Sequence, residues 1–138
     1  MENTVKILIA DDDDDFREML GGFLSGEGYS VVEASDGADV FDKVLMEMPD
    51  VVLLDVMLPS RSGFDICRDI KTDTRTKKSN VIMLTVKDGL PDKLSGYVAG
   101  AQRYLCKPCA LEDIDECLKA VLRQRRLTHI QLEQDLHH

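Results

Sequence analysis

Val51-Val52-Leu53-Leu54-Asp55-Val56-Met57-Leu58-Pro59 is the stretch on which the fold turns. Four apolar residues run straight into one carboxylate, and Pro59 stops the run soon after. A continuous apolar run of that length reads as a strand covered on both faces, as strands of parallel sheets are. Asp55 then stands at the carboxyl end of its strand. In open α/β sheets that edge is where ligands and reacting groups gather.

Outward from this stretch the same pattern repeats. Val5-Lys6-Ile7-Leu8-Ile9-Ala10 is a first apolar strand, and it runs into five consecutive aspartates, residues 11–15. Phe16, Met19, Leu20, Phe23 and Leu24 follow at the spacing of one helical stripe, with Gly26 and Gly28 punctuating its end. Ser30-Val31-Val32-Glu33-Ala34 is a second strand, and Val40, Phe41, Val44, Leu45 and Met48 mark a second helix closed by Pro49. Beyond Asp55, Ser60-Arg61-Ser62-Gly63 reads as loop, and Phe64, Cys67 and Ile70 mark a third helix. Val81-Ile82-Met83-Leu84 is a fourth strand ending at Thr85. Leu90 through Val98 gives a weaker fourth helix, with Pro91 near its start, where proline is tolerated, and Gly100 at its end. Arg103-Tyr104-Leu105-Cys106 is a fifth strand, ending at Lys107-Pro108, and Leu111, Ile114, Leu118, Val121 and Leu122 mark a fifth helix. Strands alternating with helices predict an α/β fold built on a parallel, doubly wound sheet. Leu127, Ile130, Leu132 and Leu136 allow the last segment to prolong that helix, to form a linker or to be an appended tail.

The totals narrow the classes. A chain of 138 residues with 43% hydrophobic content suits one ordinary domain with a real core. No apolar run approaches the roughly 18 residues that span a bilayer, and the N-terminus lacks the pattern of a secretory signal. A net charge of -9 argues against a nucleic-acid surface, since phosphate contacts need Lys and Arg. A cytoplasmic domain without membrane or nucleic-acid contact is expected. The four cysteines are therefore expected as thiols rather than a disulfide framework.

In a parallel sheet, the polar residues that end the strands share one edge: Asp11 and Asp12 after the first, Asp55 after the third, Thr85 after the fourth and Lys107 after the fifth. Carboxylates gathered there repel, and one tends to hold a proton unless a cation intervenes. Oxygen ligands open to water suit Mg²⁺. A lysine and a threonine hydroxyl beside them fit a transferring phosphoryl group, and an aspartate can accept phosphate as an acyl phosphate.

Ile7-Leu8-Ile9-Ala10-Asp11-Asp12-Asp13, Val52-Leu53-Leu54-Asp55-Val56-Met57-Leu58-Pro59, Ile82-Met83-Leu84-Thr85 and Tyr104-Leu105-Cys106-Lys107-Pro108 together resemble the receiver domain of two-component response regulators. The likeness covers about residues 6–126, in the family's order and spacing. It implies a flavodoxin-like sheet of strand order 2-1-3-4-5, a receiver over residues 1–126 and an extension, linker or tail over 127–138. It implies that Asp55 is the phosphoryl acceptor and that Asp12, Asp55 and the Met57 backbone carbonyl ligate Mg²⁺ (or Mn²⁺), with Asp11 helping through water. Lys107 would pair with a phosphate oxygen, and its bond to Pro108 would be cis. Thr85 would bond the phosphoryl group and move toward it, and Tyr104 would shift inward, changing the face of the fourth helix, fifth strand and fifth helix. The donor would be a sensor histidine kinase or histidine phosphotransfer protein. A homodimer through that same face and an output domain in a longer chain also belong to the family's repertoire. Such a domain is its own substrate and not an enzyme in the ordinary sense.

Several residues depart from the family pattern. Val86 stands where a small residue is usual, and its methyl groups are expected to crowd the site or hinder Thr85. Arg61 and Ser62 replace an acid before Gly63, Arg103 stands before the tyrosine, and Cys109 replaces a phenylalanine. Each site residue alone also has an ordinary explanation. An acidic run can simply favour a helix start, Asp55 or Thr85 can cap a turn, and Tyr104 can be a half-buried strand aromatic. Asp13, Asp14 and Asp15 read as solvated or capping residues. The alternating aspartates fail as an EF-hand, because Phe16 takes the glycine position and Gly22 the glutamate. Cys106 and Cys109 have C-x-x-C spacing, but Cys106 lies inside a strand; Cys67 and Cys117 read as core residues. Arg123, Arg125 and Arg126 read as the solvated end of the last helix. Two other classes compete: a flavodoxin-like electron carrier, whose flavin phosphate five aspartates would repel, and a degenerate receiver that only binds partners.

Overall fold

The computed structural model describes residues 4–86 and 100–136. β1 (Lys6–Ala10), β2 (Ser30–Ala34), β3 (Val51–Asp55), β4 (Asn80–Val86) and β5 (Arg103–Lys107) pair in parallel in the order β2-β1-β3-β4-β5. Helices α1 (Asp14–Gly26), α2 (Gly37–Glu47) and α3 (Gly63–Thr72) follow the first three strands, and a C-terminal helix spans Leu111–Leu136. The fourth helix expected over residues 90–98 lies outside the described residues.

Strand alternation divides the core into two layers. Leu8, Val52, Leu54, Val81 and Met83 meet Val40 and Val44 of α2 and Ile66 and Ile70 of α3. Their neighbours Ile7, Ile9, Val51, Leu53, Ile82 and Leu84 meet Leu20 and Leu24 of α1 and Ile114 and Leu118 of the C-terminal helix. Both faces are thus covered, which is why β3 reads as an unbroken apolar run: all five of its residues are buried.

The starts of α1, α2 and α3 are written into the loops at the carboxyl edge. Asp13 accepts a hydrogen bond from the Phe16 N–H at 3.0 Å, Asp36 from Ala38 at 2.8 Å and Ser62 from Phe64 at 3.1 Å. Asp13 is therefore a capping residue. Helix α2 ends on Met48 in the left-handed region (φ 49), one residue before Pro49.

Residues 127–136 continue the C-terminal helix, which holds 26 residues and so runs about 39 Å. The basic cluster is therefore not at the helix end, contrary to expectation. Arg123 and Arg126 are exposed, but Arg125 is half-buried and pairs with Asp50 at 2.7 Å. Among the described residues, no helix is long and apolar enough to cross a membrane.

Candidate functional site

The carboxyl edge brings Asp11, Asp12, Asp55 and Lys107 together. Oxygens of the three carboxylates lie within 4.8 Å of one another. Asp11 is fully buried at the tip of β1, where its N–H donates to the Ala34 carbonyl at 3.0 Å. Its Oδ1 accepts from the Asp13 N–H at 2.9 Å and its Oδ2 contacts the Lys107 ammonium. Asp55 is 6% exposed, and its Oδ1 accepts from the Met57 N–H at 3.1 Å while its Oδ2 lies 3.7 Å from Lys107 Nζ. Asp12 is exposed and shares an open cavity with Met57, Arg61 and Phe64. Burial, above all, holds the Asp55 carboxyl above its ordinary range. The Met57 N–H and Lys107 pull it down, and Asp11 and Asp12 push it up.

The backbone beneath Asp55 is unusually close. A Cβ on Gly63 would stand 2.3 Å from the Asp55 carbonyl oxygen and 2.8 Å from the Val56 Cα. The residue read as the end of a loop is thus the first of α3, and its hydrogen lets α3 start directly under β3. Gly37 plays the matching part for α2, with the Arg61 and Pro59 carbonyls 2.7 and 2.9 Å from a notional Cβ.

Thr85 is fully buried one residue beyond Leu84, the register partner of Asp55. Its hydroxyl donates to the Val86 carbonyl at 3.3 Å. Tyr104, half-buried on β5, packs on Phe64 with ring centroids 6.5 Å apart, and its hydroxyl is buried. Lys107 is the last residue of β5 rather than the residue after it, and its bond to Pro108 is cis. The crowding expected of Val86 does not follow from its position. It is 48% exposed, pairs in register with Lys107, and lines a rim groove with Phe16, Met19 and Cys109. Arg61 turns away from the acids to meet Asp69 at 2.5 Å.

Cys106 and Cys109 do not form a pair built for redox work. Cys109 packs in the same layer as Cys117, and burial pushes both thiols up. Cys67 is fully buried in the other layer, its thiol pushed by burial to about 11.

Two residues at the site escaped the sequence reading. Phe16 places its ring 4.5 Å from Lys107 Nζ, a cation–π contact. Arg17 donates to the Asp11 carbonyl at 2.7 Å. Their signals were a helix stripe and an i, i+3 pair with Asp14, neither of which reveals reach back into the preceding turn.

An all-oxygen donor set with one lysine against three clustered acids fits a hard divalent cation, since the excess negative charge is otherwise uncompensated. The same arrangement suits an anion transferred to Asp55 while Lys107 and a cation neutralise it.

The description of the response regulator receiver domain family matches residues 7–119. The response regulator MprA of Mycobacterium bovis is 37% identical over 123 residues, 89% of this chain and 53% of that protein. Among solved structures, the chemotaxis response regulator CheY4 of Vibrio cholerae is 29% identical with a TM-score of 0.80, covering 86% of this chain and 99% of that one. A CheY-like receiver domain protein of Methanospirillum hungatei is 26% identical with a TM-score of 0.85, covering 91% and 99%. The chain spans about half the length of the curated relatives it matches. Five parallel strands in the order 2-1-3-4-5, acids and lysine gathered at their tips, and a family match over most of the length lead to one assignment: this chain belongs to the response regulator receiver domains of two-component systems.

Proposed function

We propose that Asp55 accepts a phosphoryl group from a phosphohistidine on a sensor histidine kinase or phosphotransfer protein. A carboxylate oxygen of Asp55 attacks phosphorus in line; the phosphorus–nitrogen bond breaks, and the histidine nitrogen keeps the electron pair and takes up a proton. Water later attacks the same phosphorus, releasing inorganic phosphate and restoring the carboxylate. Asp12, Asp55 and the Met57 carbonyl would hold Mg²⁺ (or Mn²⁺), with Asp11 assisting through water. When bound, the cation supplies charge neutralisation of the phosphoryl oxygens.

Lys107 neutralises a further oxygen, and Thr85 donates its hydroxyl to another. Drawing Thr85 toward the phosphoryl group opens room for Tyr104 and alters the face that β5 shares with the C-terminal helix. Phosphorylation then shifts a two-state population. Residues 1–126 form the receiver. The altered face serves a partner, a second copy or an output domain in a longer cytoplasmic protein. The domain promotes its own phosphorylation and hydrolysis by positioning and acts on no other substrate.

The clustering of three carboxylates, two of them beside Lys107, carries this reading. Incubation with a small phosphodonor and Mg²⁺ is expected to add one phosphoryl mass, removed by Asp55→Asn, whose amide is a poor nucleophile of the same shape. Labelling of that variant to the wild-type level would refute Asp55 as acceptor. Absence of labelling in the wild type would favour a receiver that only binds partners.

A further inference from the structure

Asp11 and Asp12 are joined by one peptide group, and the plane of that group sets ψ of Asp11 and φ of Asp12 together. Whatever grips its carbonyl therefore aims both carboxylates. Arg17 does so: its Nη1 donates to the Asp11 carbonyl at 2.7 Å. The guanidinium is itself fixed on two further sides. Nη2 donates to Asp14 Oδ1 at 2.6 Å and Nε to Glu33 Oε1 at 2.8 Å. Although it rises from the first turns of α1, the Arg17 side chain is only 15% exposed. The N–H of Asp11 is meanwhile held by the Ala34 carbonyl, the residue after Glu33 on β2. The β1–α1 turn is thus clamped from both sides against β2.

We propose that Arg17 is a positioning residue for the Asp11–Asp12 pair, acting through the peptide group between them. This rests on the metal-site reading above. The planar fork is the reason for arginine: three donors reach three acceptors in fixed directions, which a lysine ammonium cannot reproduce. Groups behind metal ligands of this kind commonly matter by about tenfold or more in metal affinity.

The test is a Mg²⁺ titration of the whole chain, followed by amide NMR shifts, for the wild type, Arg17→Lys, Arg17→Gln and Asp12→Asn. Hydrogen exchange of the Asp13 amide, which bonds Asp11 Oδ1, is read without metal. Both Arg17 variants are expected to weaken Mg²⁺ binding by about tenfold and to expose the Asp13 amide to faster exchange. Lysine should not rescue, because geometry and not charge is lost. If Arg17→Gln does not fold, Arg17→Lys carries the test.

Charge alone predicts the reverse order, since removing a cation beside acids strengthens their attraction for Mg²⁺. Tighter binding by Arg17→Gln, or unchanged binding by both variants while Asp12→Asn is weakened, would overturn the role of Arg17 and leave the metal site standing. Should Asp12→Asn bind Mg²⁺ as the wild type does, the metal-site reading falls, and the role of Arg17 with it.

Discussion

The two edges of the sheet treat charge in opposite ways. At the amino edge Asp50, Lys6 and Glu47 are each met by a partner of opposite charge or by a backbone N–H. Asp50 accepts the Lys6 N–H at 2.9 Å and the Arg125 guanidinium at 2.7 Å, while Lys6 Nζ meets Glu47 at 3.0 Å. The Lys71 ammonium donates to the Lys77 and Ser79 carbonyls, and the Ser79 hydroxyl donates to the Pro49 carbonyl at 2.6 Å. At the carboxyl edge three acids cluster, and the lysine among them reaches Asp11 and Asp55. Both edges are polar and tightly built, so polarity alone does not mark the working end. Clustered charge of one sign does. A fold tolerates such an imbalance where binding relieves it, and tends to remove it elsewhere.

Gly63→Ala should break the carboxyl edge most severely. The added methyl would stand 2.3 Å from the Asp55 carbonyl oxygen, and the neighbour is backbone that has no rotamer to change. A loss of about 3 kcal/mol of stability is expected, with impaired phosphoryl uptake in whatever fraction folds. Denaturant unfolding with mass-monitored labelling measures both. A loss under about 1 kcal/mol would mean that α3 can slide from β3 freely.

Paired substitutions test the edge contrast directly. Asp50→Ala leaves the Lys6 N–H and Arg125 without their acceptor and should cost about 2 kcal/mol, with labelling of Asp55 unchanged. Asp12→Asn should do the opposite. Its stability without metal stays level or rises as repulsion is relieved, and it loses the stabilisation of about 1.4 kcal/mol that Mg²⁺ gives the wild type at ten times its dissociation constant. Unfolding curves with and without Mg²⁺ decide. Equal responses of the two variants would erase the distinction between the edges.

The fold was legible because its signals are local or strictly periodic. The unbroken run 51–54 announced a strand buried on both faces, and Asp13, Asp36 and Ser62 are capping residues of the usual kinds. Parallel pairing then places the tips of β1, β3, β4 and β5 along one edge without further information. What stayed hidden depends on side-chain reach or on backbone conformations outside glycine's usual monopoly. Arg17 looks like one half of a surface ion pair until the turn folds back under it. Arg125 looks like a solvated helix residue until the amino edge delivers Asp50. Met48 and Ser60 hold positive φ without being glycine, at 49 and 71, and no composition rule marks them. The imbalance of charge at one edge is a sum over partners, and partners are known only once the chain is folded.

Val86 offers the smallest and finest test. The sequence suggests that its methyl groups crowd the site or hinder Thr85, but the side chain is half out of the molecule, beside Lys107 on the groove shared with Phe16 and Met19. Placed there, it is expected to hinder water near the site more than it hinders Thr85. Val86→Ala should therefore leave the rate of phosphoryl uptake unchanged and speed hydrolysis by about twofold, some 0.4 kcal/mol in barrier. Following the phosphorylated mass over time in both proteins separates the two ideas. Faster uptake in the variant would restore crowding of the interior, and equal decay would show that the rim plays no part in phosphate lifetime.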